Sequence, residues 1–194
     1  VKIYNVERCA WETLFSTSKV CRKQNCVVSA GSYLYVFGEP PETRKYVVKA
    51  ERYDTVVKKW EEIADMLEER DDAFGEATKE KIFVAGGKHR EGNSVLQTCE
   101  IYNILTNEWQ LTGSLNVSRM RGSMVCLNGK LYVLGGEREE NYRELKVECF
   151  NSEEGKWIHK TTIPSSSSRY NDERIFNGCV LKLSKGVLDK LEKI

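Results

Sequence analysis

Four tryptophans, Trp11, Trp60, Trp109 and Trp157, stand 49, 49 and 48 residues apart. An aromatic residue stands seven positions before each of them: Tyr4, Tyr53, Tyr102 and Phe150. A polar residue follows each aromatic: Asn5, Asp54, Asn103 and Asn151. The segment Lys-Ile-Phe-Val-Ala-Gly86-Gly87 returns 49 residues later as Lys-Leu-Tyr-Val-Leu-Gly135-Gly136, and Tyr-Leu-Tyr-Val-Phe-Gly38-Glu39 is an earlier, degraded copy. A period of this length means tandem supersecondary units. Each buries its apolar faces only by stacking on its neighbours.

The third full copy shows what each unit is. Residues 120–127 form a mostly apolar run, followed by Asn128-Gly129, the strongest two-residue hairpin signal. Lys130 to Gly135 alternates as a strand and stops at the glycine pair. Leu145 to Phe150 alternates again, a polar turn follows, and Trp157 opens a fourth strand. Four short strands per period describe a propeller blade rather than a helical solenoid.

The glycine pairs, the tyrosine after Leu131 and the Tyr-x6-Trp unit resemble the Kelch repeat over about residues 1–183. With Arg119-x-Arg121-Gly-Ser-Met ahead of Asn-Gly-Lys-Leu-Tyr-Val-Leu-Gly-Gly, the chain is most similar to the BTB-Kelch (Kelch-like) proteins. The expected fold is all-β, a Kelch β-propeller of four-stranded blades. Full repeats span about 16–64, 65–113 and 114–162, with partial repeats at 1–15 and 163–183 and a C-terminal tail at 184–194. Residues 1–15 supply the last two strands of a blade, and residues 163–183 the first two of another. These halves either pair to close a four-bladed ring or belong to a six-bladed one, the number the resemblance implies. The chain begins at Val1 rather than Met, which marks it as processed or a piece of a longer protein. In the tail, Val187, Leu188, Leu191 and Ile194 have helical spacing and read as a short helix or a frayed end.

Composition narrows the function. Lys plus Arg less Asp plus Glu is 30 − 29, or +1, so neither a polybasic nucleic-acid arm nor an acidic tail dominates. No apolar run is long enough for a membrane-spanning helix. Three prolines in 194 residues argue against a linker protein. The seven cysteines, an odd number with no C-x-x-C pair, read as free thiols, mostly buried, in a reducing cytoplasmic compartment. His89 and His159 are too far apart for a zinc site or a copper or iron centre, and no nucleophile elbow or H-E-x-x-H occurs. The expectation is a non-enzyme with no metal and no cofactor.

The glycine pairs Gly86-Gly87 and Gly135-Gly136 lack the helix and the Lys-Ser/Thr of a phosphate loop, so their role is a tight backbone exit from the strand. Tyr53, Trp60, Tyr102, Trp109, Phe150 and Trp157 read as packing between blades. The candidate binding residues lie on loops. Turns between first and second strands are tight, but residues 39–46, 88–95 and 137–143, between second and third strands, are longer and variable. They join the loops entering each first strand on one face of the ring. Arg44, His89, Arg90, Arg138 and Arg143 fall there. Arginine also recurs just before the innermost strand, at Arg22, Arg70 and Arg119, with Arg121 beside the last. A ring of guanidinium groups suits carboxylates, hence an acidic peptide. The alternative is that each arginine pairs with an acidic neighbour such as Glu69 or Asp71 and holds its loop.

By resemblance, the expected function is protein binding. The propeller would capture a substrate or degron peptide for a cullin-3 E3 ubiquitin ligase, with cullin-3 held by a BTB domain outside this chain. A cytoskeletal scaffold that binds actin is the other function the resemblance implies.

Overall fold

The computed structural model describes residues 2–5, 8–13, 26–38, 49–89, 92, 94–139 and 142–163. All but the first residue of the half-blade expected at 163–183, and the tail helix, lie outside these residues, as do Arg22, Arg44 and Arg90.

Among the described residues, fourteen strands fall into four antiparallel sheets. The first sheet has two strands, β1 (Lys2–Asn5) and β2 (Ala10–Thr13). Three four-stranded meanders follow. Blade 1 comprises β3 (Cys26–Ala30), β4 (Tyr33–Gly38), β5 (Lys49–Asp54) and β6 (Lys59–Glu62). Blade 2 comprises β7 (Phe74–Ala77), β8 (Lys81–Ala85), β9 (Cys99–Asn103) and β10 (Glu108–Thr112). Blade 3 comprises β11 (Ser123–Leu127), β12 (Lys130–Leu134), β13 (Lys146–Asn151) and β14 (Lys156–Thr162). The first strands β3, β7 and β11 are neighbours, as the innermost strands of consecutive blades must be.

The sequence period has a direct geometric meaning. The aromatic and the tryptophan seven residues apart are cross-strand partners in every sheet: Tyr4 with Trp11, Tyr53 with Trp60, Tyr102 with Trp109 and Phe150 with Trp157. In the three full blades their ring centroids lie 5.1, 5.0 and 5.2 Å apart. The polar residue after the aromatic caps the turn between them. Asp54 Oδ1 accepts the N–H groups of Val56 and Val57 at 2.8 and 3.0 Å, and Asn103 and Asn151 do the same in blades 2 and 3. The Asn128-Gly129 turn has φ of 51° and 74°, which is the left-handed pair that its hairpin type requires.

The hydrophobic cores lie between sheets, not within them. One joins blade 1 to blade 2 through Cys26, Val28, Tyr35, Phe37, Ile82, Val84 and Tyr102. The other joins blade 2 to blade 3 through Phe74, Phe83, Cys99, Ile101, Leu131, Val133 and Trp157. Trp109 shows how one residue serves both scales. It pairs with Tyr102 in its own blade, meets Phe37 of blade 1 edge-on at 5.2 Å, and donates from Nε1 to the Ala64 carbonyl at 2.7 Å. Asn107 Oδ1 accepts the Ala64 N–H at 2.8 Å, so blade 2 grips both backbone polar groups of that residue.

Asp54 offers a test of the turn chemistry. Hydrogen bonding, first from the Val57 N–H, holds its carboxyl below the ordinary value of 3.8. A carboxyl whose pKa is depressed by folding contributes stability above that ordinary value and loses it as the pH falls through the folded value. Asp54→Asn keeps the accepting oxygen, and asparagine already stands there in blades 2 and 3. The variant should fold and lose less stability than the parent on acidification below 3.8, as read by denaturant midpoints across pH.

Candidate functional site

In blades 2 and 3, two loops meet at one end of the sheet. The segment entering β7 bridges the β8–β9 loop, with Asp71 and Lys88 exchanging backbone hydrogen bonds of 2.9 and 2.7 Å. The segment entering β11 bridges the β12–β13 loop through a reciprocal pair at Met120 and Glu137, both 2.8 Å. Further bridges, Lys88 to Val95 and Glu137 to Arg143, narrow each loop toward its tip. The loop face is therefore a set of tied hairpins built on the ends of the strands.

Arg70 and Arg119 do not belong to its surface, contrary to the expectation of a guanidinium ring. Their side chains are fully buried. Arg70 donates from Nε and one terminal nitrogen to Glu100 at 3.0 and 2.9 Å, and from the same terminal nitrogen to Glu68 at 2.9 Å. Its other terminal nitrogen donates to the Gly86 and Thr98 carbonyls at 3.0 and 2.9 Å. Arg119 repeats the pattern, pairing with Glu148 and donating to the Gly135 and Lys146 carbonyls at 3.0 and 2.8 Å. Burial lowers the Arg119 pKa, and the Glu148 charge opposes that shift. Each arginine thus ties the glycine exit of a second strand to the start of a third. The carboxylates also accept from the connection between blades, Glu100 from the Leu67 and Glu68 N–H groups and Glu148 from the Asn116 N–H.

Arg70 does pair with one acidic sequence neighbour, Glu68, but the partner both arginines share in kind is a buried glutamate 30 and 29 residues on, Glu100 and Glu148. Arg22 stands 29 residues before Glu51, which is also buried. The signal was present in the sequence: Glu51, Glu100 and Glu148 recur 49 and 48 residues apart, in phase with the arginines to within one residue, each in the third strand of its blade. A carboxylate buried there needs a buried partner.

All four residues of the glycine pairs have positive φ. Gly86 has φ +60°, and a Cβ there would lie 2.1 Å from the Arg119 carbonyl oxygen. Gly136 has φ +105°, and its Cβ would meet the Met120 carbonyl oxygen at 2.8 Å.

Other candidates do reach the surface. Arg121 bridges two blades, donating to Asp72 at 3.1 Å and to Glu137 at 3.0 Å. Burial pulls its pKa down, but the contacts with Asp72 and Glu137 outweigh this and leave it raised. Arg138 is more than half exposed, with Nε 3.9 Å from the buried Glu144 carboxylate. Arg143 is exposed beside it, and His89 is half-buried, donating its backbone N–H to the Ser94 carbonyl at 2.9 Å. Tyr142, which the repeat pattern did not single out, is 65% exposed on the same loop. The described face is of mixed charge, with Glu137 and Glu139 among its arginines.

Elsewhere, a cleft of about 550 Å³ opens at the β9–β10 turn, the opposite end of the sheet, lined by Asp65, Lys81, Asn107, Glu108 and Trp109. Among the described residues no three His, Cys, Asp or Glu side chains are grouped to hold a metal ion. No helix there is long and apolar enough to cross a membrane. Cys26, Cys99 and Cys149 are buried free thiols, whereas Cys9 is exposed. Burial pushes the Cys26 and Cys99 thiols up to about 12, which keeps them protonated and unreactive.

Comparison with known proteins agrees with this geometry. The Kelch motif matches residues 73–116 and 118–162. Kelch-like protein 23 of Pongo abelii is 29% identical over 187 residues, 93% of this chain and 31% of that protein. Kelch-like protein 40 of Xenopus laevis is 32% identical over 139 residues, 68% of this chain and 22% of that protein. Alpha-scruin of Limulus polyphemus is 26% identical over 211 residues, covering 100% of this chain and 23% of that protein. The chain therefore spans about a third or less of the relatives it matches. The structure of YjhT superposes with a TM-score of 0.66 at 18% identity, over 78% of this chain and 55% of that one, a likeness of fold. Repeat, blades and relatives together make the chain a Kelch-repeat β-propeller protein related to the Kelch-like family.

Proposed function

We propose that this chain is a protein-binding domain whose loop face recognises a substrate for a cullin-3 ubiquitin ligase, with cullin-3 held by a BTB region outside residues 1–194. The observation that carries the reading is the tied loop face. It presents an exposed tyrosine between exposed arginines, Arg138, Tyr142 and Arg143, on a backbone fixed by bridges. Tyrosine and arginine are residue types that anchor protein interfaces, tyrosine through large contact area with few rotamers to freeze and arginine through its planar fork of donors. The likeness to Kelch-like proteins supports the ligase role.

With two repeating arginines buried, recognition rests on the loop tips and not on an arginine ring. Tyr142→Ala with Arg143→Ala should leave the fold intact and reduce partner capture from cytosol at least tenfold, a loss of about 1.4 kcal/mol or more. In the full-length protein the same variant should still copurify with cullin-3. Undiminished capture by the variant, or cosedimentation with actin filaments that ignores the loop changes, would contradict the reading and favour a filament scaffold.

A further inference from the structure

We propose that Tyr142 is a phosphorylation site whose phosphate is caught by Arg138 and Arg143. Three independent observations meet at this residue. First, among the tyrosines whose side chains the structure describes, Tyr142 alone is exposed. Tyr35, Tyr53 and Tyr102 are buried, and Tyr33 and Tyr132 are half-buried. Second, Glu139 and Glu140 stand three and two positions before it, an acidic approach that complements a basic substrate groove. Third, the loop holds guanidinium groups with capacity to spare. The Arg138 N–H donates to the Tyr142 carbonyl at 2.7 Å, which sets the two residues opposite each other across the loop. The Arg138 side chain is 53% exposed, and its Nε stands 3.9 Å from Glu144, beyond hydrogen-bond distance. Arg143 is exposed and adjacent in sequence.

The step balances with ATP as donor. The Tyr142 phenol oxygen attacks the γ-phosphorus, the bond from that phosphorus to the β,γ-bridging oxygen breaks, ADP leaves, and the phenolic proton passes to the kinase base. The product carries up to two negative charges and three strong acceptors beside two arginines. It turns a mixed-charge loop tip acidic and bulky. The consequence for partner binding rests on the proposed function, whereas the modification and its capture by arginine do not.

The test uses the whole chain, ATP and a recombinant tyrosine kinase that favours acidic residues before its tyrosine, with mass-spectrometric mapping. Label should concentrate on Tyr142 and disappear in Tyr142→Phe. Titration of the labelled chain by ³¹P NMR then reads the phosphate. Its midpoint should be about one unit lower in the parent than in Arg138→Ala/Arg143→Ala, because nearby cations favour the dianion. Label concentrated on any other tyrosine would overturn the site. Equal midpoints in parent and variant would overturn capture by the arginines. Neither measurement involves a partner, so failure here is separate from failure of the loop-face capture experiment.

Discussion

Arg119→Met is expected to destabilise the protein by about 3–5 kcal/mol, the usual loss when one member of a buried ion pair is removed. The reason is specific. The substitution leaves the Glu148 carboxylate, itself fully buried, without its cation. It also strips the donor from the Gly135 and Lys146 carbonyls, which the guanidinium reaches at 3.0 and 2.8 Å. A charge in that position has no solvent to turn to. For a chain of 194 residues the thermal midpoint should fall by roughly 6–20 °C. Arg119→Met combined with Glu148→Gln should recover a large part of the loss. No charge is then stranded, and the amide oxygen still accepts from Asn116. If the double variant is no more stable than the single one, the stranded charge is not the cause. Alanine in place of an exposed loop arginine such as Arg143 should move the midpoint little, since surface charges contribute at most about 1 kcal/mol.

Gly86→Ala is expected to have the second largest effect, about 2–5 kcal/mol, from backbone strain and overpacking together. The added methyl would lie 2.1 Å from the Arg119 carbonyl oxygen and 2.9 Å from the Phe74 ring, at φ +60°. The carbonyl cannot retreat, because it accepts the Gly87 N–H at 2.9 Å. The control is Gly129→Ala. That residue has φ +74° but nothing within 4 Å of a new Cβ, so only the left-handed strain of about 1–2 kcal/mol applies. Denaturant midpoints for the two variants check the ranking. Equal losses would mean that contact between the glycine exit and the next blade's connection is not what the glycine serves.

The architecture was legible because it depends on periodicity. A tryptophan seven residues after an aromatic is the sequence image of two residues facing each other across a hairpin with a four-residue turn, as Tyr102 and Trp109 do. Asn128-Gly129 marked its turn because few other residue pairs adopt two successive left-handed conformations. The candidate site was less legible, because a period gives the phase of a residue and not the direction of its side chain. Arg70 and Arg119 sit at the mouth of the loop face but point inward to Glu100 and Glu148. Local charge neighbours told only part of it, since the meander brings Glu100, 30 positions away, as close to Arg70 as its neighbour Glu68. Arg121 and Asp72 illustrate the same point. They occupy equivalent positions 49 residues apart, both left-handed, yet carry opposite charges and join neighbouring blades. Tyr142 was invisible because it belongs to one loop only and has no counterpart in the repeat.

The division of the arginines into those that hold the blades and those that meet a partner is tested most directly by reading stability and partner capture on one set of variants. Arg70→Met and Arg119→Met form one arm, and Tyr142→Ala with Arg143→Ala the other. The expected result is a large fall in midpoint for the first arm with capture retained by the chains still folded, and an unchanged midpoint with lost capture for the second. Parent-like midpoints with lost capture for Arg70→Met and Arg119→Met would contradict it, because those arginines would then be serving the partner and not the fold.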